Sequence, residues 1–163
     1  MSDISKNVIG SLISAALIAL MFSLWNDFVY KKDRVSGYWV AEFETLESSY
    51  SNFIDLKTNY EFVIGQTGSV INGSGEKVSE VSVNGYIEYD HEKRSHLELN
   101  GSLGYRVFAK STVDIVYKEN GRKRPSSTIL NLVIDSKNKM SGTFISTIAS
   151  SSGKVTLTRK NKI

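Results

Sequence analysis

A chain of 163 residues has room for one domain with a modest core plus one leading segment, and two independent soluble domains do not fit. It contains no cysteine, so disulfides, thiolate metal sites and a cysteine nucleophile are excluded, and thiol usage says nothing about redox compartment. Of the net charge of +3, the first thirty residues contribute Lys6 against Asp3 and Asp27, leaving about +4 on the remainder; that bias is too mild and dispersed for a DNA or RNA polymer, but suits a small anionic ligand or a membrane surface.

The first element runs from Val8 to Trp25 without a charged residue. As a helix it rises roughly 27 Å, close to the thickness of a hydrocarbon core, so it is long enough to cross a bilayer. Trp25, Phe28 and Tyr30 form an interfacial aromatic group, and Lys31, Lys32 and Arg34 follow. A cleaved signal peptide is the main rival, but Phe22, Leu24, Trp25 and Asn26 stand where small residues would mark a cleavage site. A buried soluble helix would show one polar face, and this one offers only Ser and Gly. One Lys precedes the run and three basic residues follow it, so the positive-inside tendency predicts a single pass through the inner (plasma) membrane with the C-terminal domain cytoplasmic. Gly10 and Ser14, and Ser11, Ala15 and Ala19, recur at spacings of four, a small-residue pattern that permits close helix approach in lipid but is also common in any anchor.

From Gly37 onward the hydrophobic period is two. In "GYWVAEFET" Trp39, Ala41 and Phe43 share a face, and in "TNYEFVIG" Tyr60, Phe62 and Ile64 do. "VSVNGYIEY" offers Val81, Val83, Ile87 and Tyr89, "HLELNG" Leu97 and Leu99, and "YRVFAK" reads as a short strand with Tyr105 and Val107 inward. "TVDIVYK" presents Val113, Ile115 and Tyr117, and "STILNLVID", "KMSGTFIST" and "GKVTLTRK" follow. "GSVINGSGE", which lies between strands without a following helix, reads as a tightly turning β segment rather than a nucleotide loop. Asn120-Gly121 is a hairpin signal, "DSKNK" a polar turn and "SSSG" a flexible one, while Pro125 suits a strand start. The expected organisation is an anchor helix and basic junction over 1–34, then over 35–163 an antiparallel all-β domain of about eight strands, barrel in preference to sandwich.

Closure would make the first and last strands neighbours, so that Arg159 lies over the Trp39 ring as a cation-π cap. This G-x-W opening with a terminal-strand Arg resembles the lipocalin and fatty-acid-carrier superfamily; the plainer alternative is a core Trp beside a surface Arg.

Catalytic signatures are missing: no nucleophile elbow, no phosphate-cradling loop and no distinctive carboxylate pair. His91 and His96 lie in the charged stretch "DHEKRSH", better read as a solvated turn than as a metal site. The expectation is a binding protein without cofactor or metal, not an enzyme. Tyr60, Tyr89, Tyr105 and Tyr117 place more phenol inward than a dry core needs, and rings of this kind stack on bases. Strand alternation adds Arg106, Thr128 and Asn131 to the candidate lining. Lys118, Arg122, Lys123 and Arg124 flank one hairpin, where they either draw an anionic ligand or serve solubility alone.

The layout of membrane segment, basic junction and small β-domain, including "NGSGE" and "KMSGTF", resembles the transmembrane β-barrel effectors of bacterial cyclic-oligonucleotide anti-phage signalling, the SMODS-associated β-strand-rich class. The resemblance implies a barrel that senses a cyclic nucleotide, homo-oligomerises and disrupts the inner membrane through its helices. The family has two membrane helices and this sequence one hydrophobic segment. A membrane-tethered carrier or scaffold for an apolar ligand or partner protein, and a phage- or plasmid-encoded exclusion protein, share the same plan.

Overall fold

The computed structural model describes residues 3–83, 85–106, 109–120 and 125–160, which form two compact units, 1–33 and 34–163. The first is a single helix, α1 (Asp3–Lys32). Its stretch Asn7–Asn26 has a mean hydropathy of 2.2 and none of it is buried, so it is one apolar helix long enough to cross a membrane, the length and composition also of a signal sequence.

The second unit is an antiparallel barrel. Its wall is β1 (Gly37–Glu47), β2 (Lys57–Thr67), β3 (Val70–Ser82), β5 (His96–Gly104), β6 (Thr112–Asn120), β7 (Pro125–Ser136), β8 (Lys139–Ser146) and β9 (Ser151–Arg159), with the short β4 (Gly85–Glu88) paired to the end of β3. The ring closes because β9 pairs with β1, which brings Trp39 opposite Arg159, and β2 pairs with β3. Closure leaves the eight wall strands without a free edge along the paired lengths.

Period-two alternation sends every second side chain inward. At the end where the chain enters β1, the interior holds Val35, Trp39, Ile64, Ile71, Leu103, Val113, Leu132, Met140 and Leu157, each 3% exposed or less. A middle layer of Ala41, Phe62, Leu99, Ile115, Leu130 and Val155 is equally buried. Arg159 seals the first end: its guanidinium lies 4.4 Å from the Trp39 ring centroid and donates to the carbonyls of Ser36, Arg34 (2.7 Å) and Lys137 (3.0 Å). Val35 is held on both sides, its N–H donating to Gln66 Oε1 and its carbonyl accepting from the Trp39 indole, each at 2.8 Å.

Several strand assignments differ from the sequence reading. The first two residues of "GSVINGSGE", Gly68 and Ser69, form a turn, and the rest is a continuous part of the longest strand, β3. Its glycines are there because β2 passes too close for a side chain: a Cβ on Gly75 would sit 2.5 Å from the Glu61 carbonyl oxygen and 2.6 Å from Phe62 Cδ1. "VSVNGYIEY" is the tip of the β3–β4 hairpin, so Val81, Val83 and Ile87 are exposed. In "YRVFAK" residues 105, 106, 109 and 110 are not in a strand, and Val107 lies outside the described residues. The turn assigned to "SSSG" falls earlier, at Ile148–Ser150, where Ala149 and Ser150 take positive φ, and Ser151–Gly153 already belong to β9.

Candidate ligand-binding mouth

The far end of the barrel is built from the same alternation but with other residue types. Above the middle layer, Phe43 and Phe144 meet the phenol rings of Tyr60 and Tyr117, with Phe43 4.9 Å from Tyr60 and 5.1 Å from Phe144, and Tyr60 5.9 Å from Tyr117. Most of these contacts are edge-on or tilted, the arrangement that aromatic quadrupoles favour. Over this ring layer sits a collar of Thr45, Thr58, Ser126, Thr128, Ser146 and Ser151, all buried and each at or within three positions of a strand end. Thr128 Oγ1 donates to Ser146 Oγ at 2.9 Å.

Glu119 lies in this collar and is only 5% exposed. It points inward because β6 alternates Val113, Ile115, Tyr117, Glu119, all buried. Tyr60 Oη donates to its Oε2 at 3.2 Å, and that is the one hydrogen bond the described residues give this carboxylate. Among the described residues no fully buried side-chain nitrogen or oxygen is left unpartnered.

Burial pushes the Tyr60 phenol well above its ordinary pKa, with the neighbouring Tyr117 and Glu119 adding to it. Burial likewise raises Tyr117, against the opposing effect of its hydrogen bonds to Thr128 and Tyr60. Both rings are therefore neutral hydroxyl donors near neutral pH.

Lys77 and Glu80 of β3 complete the mouth, sharing the inner face with Tyr60 and Thr58 across the β2 register. Lys77 Nζ is 2.6 Å from Glu80 Oε2 and 5.2 Å from the Tyr89 ring centroid. Burial works against both charges, but the pairing outweighs it: Lys77 is raised and Glu80 is held below the usual carboxylate range. The segment after β4 is fastened by Arg94, which donates to the Tyr89 carbonyl at 3.2 Å and to Glu76 at 3.3 Å.

The structure divides the residues singled out from sequence. Tyr60, Tyr117 and Thr128 meet in the mouth, and Tyr89 is half-buried at its rim. Tyr105 does not join them: at the Trp39 end, its hydroxyl donates to the Gly68 carbonyl at 3.1 Å and accepts from Gln66 Nε2 at 2.9 Å. Asn131 is a correction: Leu130 and Leu132 take the inward positions of β7, which turns Asn131 outward onto Asp114 at 2.9 Å. Arg106 is a second correction, exposed beyond the end of β5. Lys118 is also on the outer face. Arg122, Lys123 and Arg124, the hairpin residues, lie outside the described residues, as do the side chains of Lys6, Phe28, Tyr30, Lys31 and Lys32. Gly10, Ser11, Ser14, Ala15 and Ala19 are exposed along α1, Ser11 donating back to the Asn7 carbonyl. His96 is exposed beside Glu76, 3.1 Å away, and among the described residues no three His, Asp or Glu stand together to hold a metal.

Sequence reasoning missed Lys77, Glu80 and Glu119. For Glu119 the signal was present, since it continues the parity of Val113, Ile115 and Tyr117.

No family model matches this chain, and no curated protein gives a significant match. Among solved structures, the chain is similar to a redesigned β-barrel, b11L5F_LGL, at 9% identity and a TM-score of 0.54, over 78% of this chain and 92% of that one. It is also similar to a redesigned β-barrel, mFAP1, bound to DFHBI, at 8% identity and a TM-score of 0.53, over 77% of this chain and 94% of that one. At these identities the likeness is one of fold: a closed antiparallel barrel.

Proposed function

We propose that this chain is a membrane-anchored sensor whose barrel binds a small cyclic nucleotide at the polar mouth and passes that event to its helix. The observation that carries the reading is Glu119, a carboxylate nineteen-twentieths buried and hydrogen-bonded by Tyr60, in a hydroxyl collar above four aromatic rings. A core that needed only stability would have no use for a buried carboxylate held by a single tyrosine hydroxyl, because burying one without full pairing is costly. Rings below and hydrogen-bonding groups around are what a base requires. The redesigned barrel bound to DFHBI is an instance of this architecture holding a guest.

The apolar layers beneath the rings set how deep a guest can go: the base is held in the mouth and not in a through-going hollow. Two carboxylates to one ammonium in that mouth disfavour a phosphate inside it, so the phosphates stay outward. The helix, apolar around its circumference, serves as the anchor in the inner membrane with the barrel cytoplasmic. The effector step proposed is self-assembly of these helices and disruption of the bilayer in anti-phage defence. Ligand binding promotes it only if the assembled state binds the ligand more tightly.

Calorimetric titration of the full chain in lipid nanodiscs with a panel of cyclic di- and trinucleotides, with particle size followed in detergent, tests this reading. Heat and a larger assembly for at least one nucleotide are expected; neither for any of them removes the sensor. A reporter fused after Ile163 that is active only outside the cytoplasm would contradict the orientation.

A further inference from the structure

We infer that the outer wall of the barrel carries a contact surface for a second copy of this chain, centred on Val116, Ile129 and Ile145. This rests on the membrane-anchored reading above and adds to it where the barrels of assembled chains touch.

Three consecutive strands supply the surface. In the register Val116 of β6 stands opposite Ile129 of β7, and Ile129 opposite Ile145 of β8, so the three side chains form one unbroken row across the wall. They face outward because their chain neighbours Ile115, Leu130 and Phe144 take the inward positions. The row is 44%, 45% and 61% exposed, even though cross-strand neighbours shield one another. Its outward neighbours along the strands are polar, Asp114, Asn131 and Thr143 on one side and Lys118 and Ser127 on the other. Apolar residues scattered singly on a surface need no partner, whereas a contiguous apolar row inside a polar rim has the anatomy of an interface.

The charges beside the row point to a second copy as its occupant. Asp114 and Lys118 lie on β6 two positions either side of Val116, and both are exposed. Glu98 is the register partner of Lys118, yet among the described residues Lys118 has no ion pair. When two copies meet face to face about a two-fold axis lying along the row, Val116, Ile129 and Ile145 each meet their own counterpart, and Asp114 of each copy faces Lys118 of the other. An axis along the strands would set these charges against Thr143 and Thr147 of β8 instead. The two symmetric ion pairs sit at the rim, where charge fixes register more than it adds affinity. Three side chains are less than freely diffusing proteins need, since stable interfaces bury roughly 800 Å² on each partner. Chains anchored in one bilayer are already confined, and a small contact then suffices.

The absence of native cysteine makes the test direct. Full-length Ile129→Cys, in vesicles of phosphatidylethanolamine and phosphatidylglycerol with and without the cyclic nucleotides of the panel, is treated with a short bismaleimide, whose reach suits the roughly 10 Å between packed sheets. Val63→Cys, 54% exposed on β2 across the barrel from β7, is the control. Ile129→Cys is expected to give several-fold more cross-linked dimer than Val63→Cys. Adding Asp114→Lys, which sets cation against cation, should lower that yield several-fold, and adding Lys118→Asp to it should restore the dimer. Equal yields at the two positions, or a yield at Ile129→Cys that charge reversal leaves unchanged, overturn the proposal. No cross-linking at Ile129→Cys in either condition overturns it too: if Ser14→Cys in α1 then cross-links, helix assembly stands, and if neither does, the assembly step falls with it. A thiol at position 129 that gives no dimer but is shielded by lipid vesicles from a water-soluble maleimide would assign the row to the bilayer surface and equally overturn the proposal.

Discussion

The two ends of the barrel interior are made by the same eight strands and the same alternation, yet differ in what each contains. Around Trp39 the buried side chains that fill the interior are nearly all aliphatic or aromatic, and the opening is sealed by Val35 and the Arg159 guanidinium. Around Glu119 the inward positions on most strands are Ser, Thr, Lys or Glu. One end holds the barrel together, since burial of apolar surface is the main favourable term in folding. The other gives up some of that stabilisation to keep hydrogen-bonding groups inside, which is the usual character of a binding site. On the proposed reading, stability and recognition are separated along the barrel axis.

Substitutions graded along that axis can break the division. Trp39→Ala should have the largest effect, a loss of about 3–5 kcal/mol in denaturant unfolding, because it removes a 1% exposed ring and the platform for Arg159; a loss below about 1 kcal/mol would mean that this end is not the one holding the fold. Arg159→Ala should lose about 1–2 kcal/mol by the same measurement, from the cation-π contact and the carbonyl hydrogen bonds.

At the mouth the expected effect is smaller and depends on pH. Glu80 is held below its ordinary pKa, so its contribution is complete above the unfolded carboxylate range near 4.3 and is lost as pH falls through the lower folded value. The thermal midpoint should therefore drop between about pH 5 and pH 3, and less steeply in Glu80→Gln; identical profiles would remove the Lys77–Glu80 pair from the stability account. Smallest is the outer-wall pair Lys110–Asp135, 2.8 Å apart but largely solvated: Lys110→Ala should shift stability by no more than about 0.5 kcal/mol.

What the sequence could disclose follows the physics of alternation. Parity in β1, β2, β6 and β9 separates inside from outside, because apolar residues recur at every second position through most of each strand, and it brings Trp39 and Arg159 together once the sheet closes. Parity carries no height, however, so Tyr105 and Tyr117 look equivalent in sequence although they occupy opposite ends. β3 was illegible for a different reason. Where β2 runs close against it, glycines replace side chains at inward positions, and the pattern then imitates a loop. Glu119 sits in "YKEN" beside a hairpin, where a charge ordinarily marks a solvated strand end.

Because the chain has no native cysteine, the separation of the two ends can be measured directly with single introduced thiols. Ser126→Cys places one in the mouth and Leu132→Cys one in the sealed layers. In the folded full-length protein, iodoacetamide should label the mouth thiol and do so more slowly when a cyclic nucleotide that gives heat in the calorimetric panel is added, while the thiol in the sealed layers stays unreactive until denaturant is present. Equal reactivity of the two variants, or labelling of the mouth thiol that no cyclic nucleotide slows, would contradict a barrel closed at one end and receptive at the other.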